Sequence, residues 1–194
     1  LEYGVQKLHL EIAIGAAEEI LALSADYEDT TALAAAVEAG KKTLAAADAT
    51  QEAVDAAADA VLDELFKLAK RADLQSLESL IAAAKQLPED KYTSGSFASL
   101  QSAIQSAEAV VADQNRGQDD IANAYGALVK AIKALEMKGN KAALQAMIEK
   151  AQEILSDAEA YVASTIEGLE ETLAQAKAVY DNEDATQSQV NEAV

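Results

Sequence analysis

The 194-residue sequence contains no cysteine, one proline, one histidine and two phenylalanines. Without cysteine there are no disulfides and no thiolate metal sites. His9, the sole imidazole, has no second histidine or cysteine to join it, which argues against a metal or nucleophilic role. With Pro88 the only proline, few glycines, and Ala, Leu, Glu, Gln and Lys in abundance, the chain is expected to be all-helical. No run approaches the ~20 apolar residues needed to span a bilayer. The opening Leu1-Glu-Tyr-Gly lacks the basic region and apolar run of a signal peptide, so the sequence reads as an interior piece of something longer.

Positive charge is also scarce. Fifteen Lys and Arg face 34 Asp and Glu, a formal net charge of −19. Nucleic acid is disfavoured, because its binding needs cations that neutralise phosphates. Anionic lipid surfaces and sulfated glycans are disfavoured for the same Coulombic reason. The acids are spread over every segment and form no tail, as solvated outer faces would be. Hydrophobic residues reach 51%, but alanine dominates them and aromatics are only 4%. Alanine on core faces lets helices approach closely, which favours slender bundles over a wide globule.

What the sequence does have is a repeat. Leu10, Leu77 and Leu144 recur at steps of 67, as do Ala17, Ala84 and Ala151. The same step carries Leu33 to Leu100, Val37 to Ile104, Val54 to Ile121 and Leu65 to Ile132. In the third copy the later segments slip by two residues, so that Leu169 matches Leu100 and Val190 matches Ile121. A two-residue insertion in a loop accounts for the slip. Each copy carries three amphipathic segments: about 5–24, 29–46 and 51–71; about 74–87, 94–112 and 118–137; about 141–161, 165–181 and from 187 onward.

Capping signals agree with these limits. Thr93 precedes the segment beginning Ser94-Gly-Ser-Phe97 as an N-cap, with Tyr92 and Phe97 at the two positions of a hydrophobic staple. Thr186-Gln-Ser-Gln189 and Ser164-Thr-Ile-Glu167 read as capping boxes. Gly139-Asn140 reads as the glycine that ends a helix followed by the cap of the next. The stretch from Gln51 to Leu87 holds no strong breaker, so one helix is expected to run from the first copy into the second. Three such segments joined by short loops make an up-down-up bundle. The expected fold is therefore all-α: tandem antiparallel three-helix bundles forming an elongated rod, with repeats at 1–72, 73–139 and 140–194. The third bundle is expected to be incomplete, and its segment from residue 187 to be poorly packed or to borrow contacts from a neighbouring molecule.

The repeated motifs resemble the FIVAR module, a helical repeat of large secreted and surface proteins of Gram-positive bacteria. Three signatures carry the resemblance. They are Leu77-Glu-Ser-Leu-Ile-Ala-Ala-Ala84 with its echo at Leu144–Ala151, Tyr92-Thr-Ser-Gly-Ser-Phe97, and Asp48-Ala-Thr-Gln-Glu-Ala-Val54 repeated as Asp184-Ala-Thr-Gln-Ser-Gln-Val190. The copies depart from the pattern at Tyr27-Glu-Asp-Thr30, at Asn115-Arg-Gly-Gln118 and at Tyr161-Val162. The resemblance implies a non-catalytic accessory region, often downstream of glycoside hydrolases or within adhesins, with no shared catalytic or ligand residues.

No constellation in the sequence points to catalysis. Asp113-Gln-Asn115-Arg-Gly117-Gln-Asp119 has the alternating oxygens of a calcium loop. It has Gln118 where that loop needs glycine and Ala124 where it needs glutamate. Neighbouring acids such as Glu18-Glu19, Asp119-Asp120 and Glu170-Glu171 diverge by about 100° on a helix and cannot face each other across a cleft. Tyr125 falls beside an apolar face and is expected in the core. Tyr92, Tyr161 and Tyr27, near segment ends, are the candidates for a ligand or partner surface. The expectation is a spacer without enzymatic activity, cofactor or metal, outside the cell or attached to its wall. Its partners would be the flanking domains of its own chain, with neither nucleic acid nor membrane insertion. The alternative is a module that binds a glycan or host surface protein through loop aromatics or a helix face.

Overall fold

A computed structural model describes residues 5–23, 30–156 and 168–194. Among them every regular element is helical. The helices are α1 (Leu8–Ala22), α2 (Thr31–Ala45), α3 (Gln51–Lys67), α4 (Leu74–Ala84), α5 (Ser94–Ala112), α6 (Gln118–Lys133), α7 (Ala142–Ser156), α8 (Leu169–Asp181) and α9 (Gln187–Glu192). Most residues matched by the repeat leave water, with Ala151 and Leu169 only half-buried. Leu10, Leu77 and Leu144 are fully buried, and Leu33 with Leu100, Val37 with Ile104, and Val54 with Ile121 and Val190 are buried too. Two threonines cap their helices through the side chain. Thr50 accepts from the Ala53 N–H at 3.2 Å, and Thr186 accepts from the Gln189 N–H at 3.4 Å while the Gln189 side chain returns to the Thr186 N–H.

The chain divides into two compact units. The first comprises Leu1–Pro88 and Gly95–Leu135, so it holds helices of both the first and the second copy. Helices α1, α2 and α3 pack on one another, and α1 also packs on α4, which in turn meets α6. The sequence of α1 explains its double duty. Leu10, Ala13, Ala17 and Ile20 make one stripe, and Ile12, Ile14 and Ala16 widen it, so that seven of its side chains are buried. Ile12 and Ala16 line the side on which Leu80 and Ala83 of α4 approach.

The expected continuous helix from Gln51 to Leu87 does not form. α3 ends at Lys67, a single 3-10 turn covers Ala69–Arg71, and Ala72 and Asp73 are extended. The break is made by Asp73, whose carboxylate accepts the Ser76 N–H and hydroxyl, both at 2.8 Å. An aspartate cap supplies an acceptor for a first-turn amide and competes with helix continuation, which a search for glycine and proline overlooks.

The second unit comprises Glu89–Ser94 and Glu136–Val194. Its core gathers Leu144 and Ile148 of α7, Leu173 and Ala176 of α8, and Ala185 and Val190 at α9. From residue 187 onward Val190 alone is buried, and the other side chains to Val194 are exposed or half-buried. The expected helix end at Gly139 is also corrected. α6 stops at Lys133, and Gly139 lies in extended chain, its N–H bonded to the Ala185 carbonyl at 2.8 Å. A Cβ there would stand 2.8 Å from the Thr186 carbonyl oxygen and 2.7 Å from a Val190 methyl. Glycine is present for close approach, not for a helix terminus.

Candidate functional site

Of the three tyrosines singled out in the sequence, Tyr27 and Tyr161 lie outside the described residues, as does the box at Ser164–Glu167. Tyr92 is only 4% exposed and pairs through its backbone with Met137. Its ring is not offered to solvent as a stacking platform. Tyr125 is buried in the first unit as expected, but its hydroxyl finds no hydrogen-bond partner among the described residues. Burial, with Glu19 nearby, pushes its phenol well above the ordinary range. The His9 Nε2 is likewise buried without a hydrogen-bond partner among the described residues. Burial holds its pKa below the usual imidazole value, against the opposing pull of Asp55, Asp59 and the Ile132 backbone.

The polar groups that do converge belong to the second unit. The extended stretch 136–139 runs between two short segments of chain. On one side the Thr93 N–H donates to the Glu136 carbonyl at 2.8 Å, and the Lys138 N–H donates to the Lys91 carbonyl at 2.9 Å. On the other, Lys138 pairs with Thr186 and Gly139 bonds Ala185. Asp184 closes the arrangement. It accepts the Ser94 N–H at 3.0 Å and the Ser94 hydroxyl, with the Lys138 ammonium 3.7 Å away. The Ser94 hydroxyl and N–H, seconded by Lys138, hold the Asp184 carboxyl below the ordinary carboxylate range. Two of the repeated motifs, Tyr92-Thr-Ser94 and Asp184-Ala-Thr186, thus meet each other.

A second arrangement recurs in all three copies, at the glutamine that closes Asp48-Ala-Thr-Gln51, Asn115-Arg-Gly-Gln118 and Asp184-Ala-Thr-Gln187. Gln51, Gln118 and Gln187 each begin the last helix of their copy. Each folds its side-chain amide back onto the backbone that leads into the first helix. Gln51 accepts from the Gln6 N–H at 2.8 Å and donates to the Gln6 carbonyl at 3.3 Å. Gln118 donates to the Ala72 carbonyl at 2.7 Å, and Gln187 accepts from the Asn140 N–H at 2.8 Å. The signal was the glutamine itself, returning at each copy's third segment. A neutral side chain with both a donor and an acceptor suits this clasp: Gln51 uses both, Gln118 its donor and Gln187 its acceptor.

In each of these arrangements protein groups satisfy other protein groups. Among the described residues, no three His, Asp or Glu side chains gather to hold a metal ion, and no helix is long and apolar enough to cross a membrane. The stretch read as a near-calcium loop is a turn. Asp113 accepts the Asn115 N–H at 2.8 Å, and Arg116 turns back to bond the carbonyls of Val111 and Asp113. The groove between α4 and α5 is lined by Ile81, Ala82, Val111 and Ala112, with the Lys85–Glu108 ion pair at its rim. It presents no nucleophile beside a base.

Comparison with known proteins agrees with the repeat. The FIVAR domain model matches residues 7–68, 73–136 and 140–194. No solved structure matches the chain.

Proposed function

The chain belongs to the FIVAR domain family, in three copies, and from that premise we propose that it is a non-catalytic spacer in a large secreted or cell-surface bacterial protein. FIVAR is a non-catalytic module family whose members occur in cell-surface proteins. The observation that carries the proposal is where the polar side chains go. Asp184, Gln51, Gln118, Gln187, Arg116 and Lys141 bond backbone or neighbouring side chains of the chain itself. Binding sites differ in this respect, leaving convergent polar groups aimed into a cleft. The role assigned to the chain is to present or position the domains on either side of it, outside the cell.

A spacer holds its two ends at a defined separation. Dyes placed near residues 6 and 193 should give a narrow distribution of transfer efficiencies in single-molecule fluorescence, unchanged by added glycans. A distribution as broad as that of a flexible coil would remove the spacer reading. Saturable binding on a glycan array, abolished by Tyr27→Ala or Tyr161→Ala with helicity retained, would put a carbohydrate-binding module in its place.

A further inference from the structure

The turn that begins the last helix of the first copy is built like the one in the third. Asp48-Ala-Thr50-Gln51 and Asp184-Ala-Thr186-Gln187 stand 136 residues apart. Thr50 and Thr186 share nearly the same backbone conformation, φ −80° ψ 160° and φ −75° ψ 164°. Both threonines cap their helix, and both glutamines clasp the lead-in backbone. The surroundings differ. Asp184 is engaged by Ser94 and Lys138, and Ala185 is fully buried. Asp48 is exposed and Ala49 only half-buried. The second copy lacks the feature, because Asn115 brings no carboxylate to the equivalent position.

We propose that the turn Asp48-Ala49-Thr50 docks the first-loop segment of a further FIVAR module placed ahead of this one, a segment of the Lys-Tyr-Thr-Ser kind found at residues 91–94. The occupied instance within the same chain defines the chemistry. A backbone N–H and a serine hydroxyl meet one carboxylate, and the lead-in strand runs beside the docked segment. Charge-assisted hydrogen bonds of this type are about twice as strong as neutral ones, which selects a donor-bearing loop over an acidic or apolar one. On the lead-in side Leu1-Glu2 stands 134 residues ahead of Leu135-Glu136, while Gly4 and Val5 take the places of Lys138 and Gly139, so the docked segment would meet the Asp48 carboxylate with its own N–H and hydroxyl and without a lysine ammonium from the lead-in. The inference goes beyond the spacer role and does not depend on it.

The test fuses residues 1–134 ahead of the full chain, so that Leu1 of the full chain takes the place of Leu135. Amide hydrogen exchange at Ser94 is read by mass spectrometry. In the unfused chain Asp184→Ala should speed exchange at Ser94 by on the order of tenfold, and Asp48→Ala should leave it unchanged. In the fusion, Asp48→Ala in the downstream portion should speed exchange at the Ser94 of the added portion by a similar factor. Equal exchange with and without Asp48→Ala, while the Asp184→Ala control responds, overturns the proposal. So does an unresponsive control, which would remove the very interaction from which the docking chemistry is taken. A dimer of unfused chains that Asp48→Ala dissolves would also overturn it, by giving the turn to a second copy of the chain.

Discussion

Arg116 does in the second copy what Lys7 does in the first. The Lys7 ammonium bonds the carbonyl oxygens of Leu44 and Ala46 at 2.7 and 3.3 Å. The Arg116 guanidinium bonds those of Val111 and Asp113 at 3.1 and 2.6 Å, which are the same two repeat positions. Lys141 does likewise at Tyr180 and Asn182, at 2.6 and 2.5 Å. The last carbonyls of a helix have no intrahelical partner and carry the negative end of its dipole, so a cation there satisfies both. Lys7 and Lys141 hold one repeat position. In the second copy that position is Leu74, and the cation comes instead from the loop after α5.

This substitution of one source for another predicts a rescue. Arg116→Ala should destabilise the first unit by about 1 kcal/mol, the usual worth of a helix-terminal cation with hydrogen bonds. Leu74→Lys in that background should restore most of the loss, because the new ammonium starts from the place Lys7 occupies in its copy. Urea denaturation followed by helical circular dichroism measures both. Absence of rescue, with Leu74→Lys itself well tolerated, would mean that the two cations are not interchangeable.

The example shows what the sequence makes legible. The apolar stripes were readable because burial repeats with helical period, and Leu10, Leu77 and Leu144 lie at the core as expected. The cation caps were not readable, since a carbonyl has no letter and its donor comes from different places in different copies. The Asp73 break was within reach: the aspartate is visible, but the absence of glycine and proline outweighs it when breakers alone are sought. Gly139 stands out in the sequence for the wrong reason, because a crowding neighbour such as Thr186 is set by folding and not by spacing. The extra apolar residues of α1, Ile12 and Ile14, were a sign that it would bury more than one face. The pairing of Ser94 with Asp184 joins residues 90 apart, and only the recurrence of both motifs hinted at it.

Two glycines should respond in opposite directions to the same substitution. Gly139→Ala places a methyl against the Thr186 carbonyl and the Val190 side chain, and the carbonyl is backbone that cannot swing aside. It should destabilise the second unit by about 1–3 kcal/mol, the range for overpacked sites. Gly15 lies inside α1 with open space where a Cβ would stand. Gly15→Ala should stabilise by roughly 0.5–1 kcal/mol through the lower entropy of the unfolded chain. Thermal melts of the two variants, referred to the parent chain, decide the signs.

Tyr125→Phe removes a buried hydroxyl that has no hydrogen-bond partner among the described residues. The desolvation of that group is a cost without return, and the ring that fills the space is retained. The variant should be at least as stable as the parent, by up to about 1 kcal/mol more. Tyr125→Leu, which empties part of the ring's volume, should instead destabilise by a few kcal/mol, about what large-to-small core changes cost. A destabilised Tyr125→Phe would reveal a partner for the hydroxyl in solution.

Acid acts on the first unit through one buried imidazole. His9 is the only imidazole, and burial lowers its folded pKa from the ordinary 6.5. In the native state it therefore holds fewer protons than in the unfolded chain over the interval below that value. Stability from this group is fully present above about pH 6.5 and is lost as the pH falls through the folded pKa. The carboxylates of Asp55 and Asp59, and the Ile132 backbone, oppose the effect and keep the loss moderate. His9→Gln should flatten the stability profile between about pH 7.5 and 5.5. Asp59→Asn should steepen it, because an imidazolium formed at that site loses a favourable neighbour. Urea midpoints taken at several pH values across the interval measure all three slopes. Parallel profiles for the parent chain and His9→Gln would show that the imidazole reaches water in the native state.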